Sequence, residues 1–130
     1  MIDSTPEERP HYALRLLPRA ERDIDAHAER LAILTGPANA QQWHTGLFAH
    51  IATLTDNPRR FPRIAEQKRF LKETRHLLYR SKPDGPVWRV LFTLREDTED
   101  TPAVILIHVR HGAQRPITRT EARRIEGDDP

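Results

Sequence analysis

The chain has 130 residues, 37% of them hydrophobic and 31% charged, which suits one domain with one core. It contains no cysteine, excluding a disulfide framework or thiolate metal site, and no run of about 18 apolar residues, excluding a transmembrane helix. The net charge of +2 is uneven: from Pro58 to Arg95 eleven Lys/Arg face three acids, giving +8 there and −6 elsewhere, a pattern that points to an anionic partner for the middle of the chain.

The opening stretch, Met1 to Pro10, is polar and carries two prolines; it is expected to form a loose arm, residues 1–10. It lacks the basic and apolar regions of a secretory signal, so a cytoplasmic location is expected. Tyr12 to Leu17 alternates as a strand should, and Pro18 ends it. Ala20, Ile24, Ala28, Leu31 and Leu34 then recur at helical spacing until Gly36-Pro37, where the glycine is free to take a positive φ. Ala40, Trp43, Leu47, Ile51 and Leu54 make a second helical stripe, closed by Asp56-Asn57-Pro58. So short a link predicts an antiparallel helical hairpin whose apolar face needs a cover.

Residues 59–74 are basic and irregular, with a helical turn expected near Ala65 to Leu71. Beyond them the period changes to two. Arg75–Ser81, Val87–Arg95 and Ala103–Arg110 read as three strands, the first two joined by the turn Lys82-Pro-Asp-Gly-Pro86, in which proline presets φ and Gly85 is expected to supply a positive φ. In the middle strand Trp88, Val90, Phe92 and Leu94 share one face, which makes Trp88, like Trp43, a core residue. Residues 117–130 read as a polar tail with one helical turn near Thr120 to Ile125. The predicted fold is α+β, a single domain over 1–130: an antiparallel sheet of about four strands packed on an α-helical hairpin, in the order β-α-α-β-β-β.

This order and several of its segments resemble the RelE/ParE toxin superfamily of type II toxin–antitoxin systems. The resemblance is carried over residues 12–116 by Tyr12-Ala-Leu-Arg-Leu-Leu17, Ala20-Glu-Arg-Asp-Ile24, Ile51-Ala-Thr-Leu54 with Asn57-Pro58, Arg75-His-Leu-Leu-Tyr-Arg80, Trp88-Arg-Val-Leu-Phe92 and Val104-Ile-Leu-Ile-His-Val-Arg-His-Gly112. It implies a growth-arresting toxin neutralised by a cognate antitoxin, with no cofactor. One branch of the superfamily cleaves messenger RNA on the ribosome without a metal; the other poisons DNA gyrase.

Metal-free RNA cleavage needs proton transfer and cations on the phosphorane, tasks suited to histidine and to arginine's planar fork. The candidates are Arg75, Arg110, His111 and Arg115, expected to meet at the sheet end opposite Arg80 and the hairpin turn, with Lys68, Arg69, Lys72 and Arg80 gripping the nucleic-acid backbone. The same residues also have plainer readings. His111 fits a hydrogen bond within its own loop, Arg75 and Arg80 fit surface ion pairs, Arg89 fits a structural role beside Trp88, and His108 fits a satisfied sheet histidine. Cleaving members place a tyrosine or histidine soon after the arginine that follows the last strand, whereas Arg115 is followed by Pro116-Ile-Thr-Arg-Thr-Glu-Ala. That departure favours action through binding, and leaves as the alternative a non-catalytic binding or regulatory module without toxicity. The seven histidines show no His-x-x-x-His pair and there is no Gly-rich phosphate loop, so no metal or nucleotide cofactor is expected.

Overall fold

A computed structural model of the protein describes residues 11–97 and 99–127; the arm expected over 1–10 lies outside them. The elements are β1 (Ala13–Leu16), α1 (Pro18–Thr35), α2 (Pro37–Ala52), β2 (Arg75–Tyr79), β3 (Trp88–Arg95), β4 (Ala103–His111) and α3 (Arg119–Glu126). Both long helices start with proline at N1, where a missing N–H costs nothing. Gly36 between them has φ 95°, a conformation that a side chain would strain. Asn57, φ 48°, turns the chain out of the hairpin.

The sheet order is β1-β4-β3-β2. β2, β3 and β4 form the expected antiparallel meander, but β1 lies parallel to β4, Ala13 beside Ala103 through Leu16 beside Leu106. The helical hairpin and residues 53–74 carry the chain across to β2 at the far edge, a crossover long enough for parallel pairing. The turn into β3 also differs from expectation. Gly85 N–H donates to Lys82 O at 3.0 Å, yet Gly36 is the sole described glycine at positive φ, so Gly85 takes the last place of a turn with Pro83 at its second position.

One face of the sheet buries Tyr79, Trp88, Val90, Phe92, Val104, Leu106 and Val109 against Ile24 of α1 and Trp43, Leu47 and Ile51 of α2. Leu34, read as part of the α1 stripe, is 66% exposed, because the helix runs past the edge of the sheet's cover. Trp43 and Trp88 meet edge-on with centroids 5.1 Å apart. α2 approaches β2 closely at Gly46, directly over the Tyr79 hydroxyl, which donates to Trp43 O at 3.0 Å. A methyl at Gly46 would overlap that oxygen, so Gly46→Ala should lower stability by about 1–3 kcal/mol despite alanine's helix preference. Adding Tyr79→Phe should recover part of the loss in urea unfolding; equal losses in both variants would refute the overlap.

Over β3 and β4 the second face is covered as well. Ile64 and Phe70 from the basic segment, with Ile117, Ala122 and Ile125 from the C-terminal segment, pack on Leu91, Ile105 and Ile107. The stretch read as a polar tail is therefore two turns of amphipathic helix, begun by a reciprocal cap between Thr118 and Glu121. Among the described residues no helix is long and apolar enough to cross a membrane.

Candidate functional site

The strand register decides which predicted residues meet. Tyr79 lies beside Trp88 and Trp88 beside His111, so His111 is at the same sheet end as Arg80 and the hairpin turn. Arg75 pairs with Phe92, about 13 Å along β2 from Tyr79. Alternation also separates Arg75 from Arg110: the first shares the hairpin side with Leu77 and Tyr79, the second points to the α3 side. The expected meeting of Arg75 with Arg110, His111 and Arg115 does not occur. The error lay in the end of the sheet assigned to Arg110, which sits beside Arg89 near the turn.

Arg75, Arg110 and His111 already have work inside the fold. Arg75 donates to the Arg59 and Phe61 carbonyls at 3.2 and 2.6 Å and pairs with Glu73 at 2.6 Å. Arg110 is 4% exposed; it donates to Arg115 O at 2.9 Å and lies 3.5 Å from Glu121. His111 Nδ1 accepts from Ala113 N–H at 3.0 Å, and its ring lies against Trp88. Arg115 has an exposed side chain. Arg80 is exposed at the turn and donates to Pro83 O. Lys72 lines a cleft of about 370 Å³ with Arg59, Arg75, Arg95 and Glu96, near the start of β2.

Lys68 and Arg69 are brought together elsewhere, in a cleft of about 530 Å³ on the α3 side, with His76 and Arg89 from the sheet and Gly112, Gln114 and Pro116 from the loop after β4. His76, Arg89 and Glu66 were not among the residues predicted for a site. Glu66 takes both terminal nitrogens of Arg89, at 2.8 and 2.9 Å, and the Ile117 N–H at 3.0 Å. These donors, Arg89 first, hold the Glu66 carboxyl at about 2. Arg69 donates to Ile117 O at 2.7 Å. The pair thus ties the basic segment, β3 and the approach to α3 into one unit.

Where β1 stops at Leu16, the edge of β4 would lie open. α1 closes it: Asp23 accepts from Val109 N–H at 3.0 Å and lies 2.7 Å from His108 Nδ1, while His27 Nε2 is 3.1 Å from Val109 O. Burial pushes the His27 pKa below its ordinary value, and burial with the nearby Arg89 charge does the same for His76. A histidine held below its unfolded pKa of about 6.5 makes the unfolded chain bind protons first, so stability is full above that pH and falls as pH drops through it toward the folded value. The urea midpoint should therefore be lower at pH 5.5 than at 7.5, and the double variant His27→Gln, His76→Gln should flatten that step. Glu66 acts at lower pH: its contribution fades only as pH falls from about 4.5 toward 2.

The family described as "ParE toxin of type II toxin-antitoxin system, parDE" matches residues 14–116. A solved structure described as "Chromosomal ParDE TA system from P. aeruginosa" shares the fold, with a TM-score of 0.58 at 16% identity, covering 78% of this chain and 96% of that one. No curated protein matches the sequence.

Proposed function

The chain belongs to the ParE toxin family, and from that premise we propose that it arrests growth by binding and poisoning DNA gyrase, not by cutting RNA, until a cognate antitoxin neutralises it. The observation that carries this reading is the fate of the arginines suited to phosphate chemistry. Arg75 and Arg110 point to opposite faces of the sheet, and their terminal nitrogens donate to backbone carbonyls and to Glu73 and Glu121. Groups held this way support the fold and are poorly placed to follow charge developing on one phosphate. His111 is likewise engaged, its Nδ1 occupied by Ala113 N–H. Lys68, Arg69 and Arg115 are exposed and remain for contact with an anionic partner surface.

Expression of the chain alone in a bacterial host should stop growth, and co-expression of its antitoxin should restore it. With purified gyrase and plasmid, the protein should accumulate cleaved DNA, while primer extension on ribosome-bound transcripts should show no new ends. New transcript ends without gyrase cleavage would reverse the assignment. Normal growth with soluble protein present would favour a binding module without toxicity.

A further inference from the structure

We propose that α3 and the basic segment beside it form one surface that takes the phosphate backbone of duplex DNA. The proposal rests on the gyrase reading only for the identity of that duplex, the one that gyrase holds. Two rows of cations make the surface. Arg119 and Arg123 stand one helical turn, about 6 Å, apart on the same side of α3. Lys68 and Arg69 form the second row, and the fold ties the rows together. Arg123 donates to Arg69 O at 3.1 Å, Arg69 to Ile117 O at 2.7 Å, and the Lys72 amide to Glu126 at 2.9 Å. All four cations are exposed, and Lys68 and Arg119 make no hydrogen bond or ion pair among the described residues. The acids of the same stretches are bound within the fold: Glu66 to Arg89, Glu121 to the Thr118 amide at the start of α3, and Glu126 to the Leu71 and Lys72 amides. The outward charge is therefore dominated by the cations.

Three kinds of partner present negative charge to such a surface, and its construction favours the duplex. Duplex DNA carries one charge per about 1.7 Å of its axis, in a fixed array. The backbone under the cations is braced in turn, by the capped helix and by the hydrogen bonds between the rows, so joining the two costs little ordering. A flexible single strand would have to be ordered along the surface, and its sites are grooves in which bases stack. Here Arg119 and Arg123 stand on an outer flank of the helix, whose buried side, Ala122 and Ile125, packs toward the sheet. A protein partner would need an apolar centre as well as charge. Leu71 is the one exposed large apolar side chain on this surface among the described residues, and Thr118, Thr120 and Gly127 around the arginines add none.

The test follows the full chain by fluorescence anisotropy with three labelled probes: a DNA duplex of about twenty base pairs, oligouridylate of the same length, and oligoglutamate. At low salt the duplex should bind at least about tenfold tighter than either alternative, and the logarithm of its affinity should fall linearly with that of the salt concentration. Loss of one phosphate contact flattens that slope by about one. Lys68→Gln and Arg119→Gln should each do so, and the two together by about two, with the melting temperature unchanged. Arg30→Gln, on the exposed side of α1, should leave the slope at its parental value. Oligouridylate or oligoglutamate bound as tightly as the duplex, an unchanged slope in the double variant, or an equal flattening by Arg30→Gln would each overturn the proposal. The assay contains no gyrase, so failure of the gyrase reading and failure of the DNA surface are told apart.

Discussion

Glu66→Ala is expected to lower the unfolding free energy by about 3–5 kcal/mol and the melting temperature by roughly 10–20 °C, far more than removal of any exposed charge. The carboxylate is 7% exposed by residue and accepts three hydrogen bonds, two from Arg89 and one from Ile117 N–H. Its loss leaves a largely buried guanidinium without a counter-charge and a buried amide without an acceptor, and each carries a desolvation cost that the folded state cannot recover. Burying two charges is itself expensive, so replacing both partners should hurt less than replacing one. The double variant Glu66→Met, Arg89→Met should therefore be more stable than Glu66→Ala. Urea unfolding of the three proteins at pH 7 checks this. A double variant as unstable as the single one would mean that Arg89 is not the source of the penalty.

The parts of the fold legible in the sequence were those with a period. The two helical stripes, the alternation of Trp88, Val90, Phe92 and Leu94, and the turn residues at Gly36, Asn57 and Pro83 each act through their neighbours in the chain, so local pattern carries them. The parallel placement of β1 beside β4 depends on where a long connection lands, and no residue in Ala13–Leu16 encodes that. The second buried face was harder to see, because Ile64, Phe70, Ile117 and Ile125 are scattered through polar sequence and become a layer only once folded. One local signal for it was present and unused: Thr118 three residues before Glu121 is the start signature of a helix. For the site, charge density drew attention to residues 58–95 but not to Glu66, one of the three acids inside them. An acid among so many cations is placed where one of them must be neutralised, and here that one is Arg89. The assignment of Arg75 and Arg110 to one place failed because β2 and β4 run in the same direction in the meander, which puts the start of β2 and the end of β4 at opposite ends of the sheet; the register then sets Arg110 beside Arg89.

That register changes what mutation of the arginines can reveal about function. Arg110→Ala should cost about 2–4 kcal/mol, since the side chain is buried, donates to Arg115 O and neutralises part of Glu121. Arg115→Ala removes an exposed side chain and should stay within about 0.5 kcal/mol of the parent, because the Arg115 carbonyl that Arg110 needs is retained. Weaker growth arrest from the two variants would then have different meanings. For Arg110→Ala it should track the loss of folded protein, measured as soluble abundance beside the urea midpoint. For Arg115→Ala any loss at equal abundance reports contact with the target. Parental stability of Arg110→Ala together with lost arrest would show that the guanidinium acts outside the fold and would return Arg110 to the functional site.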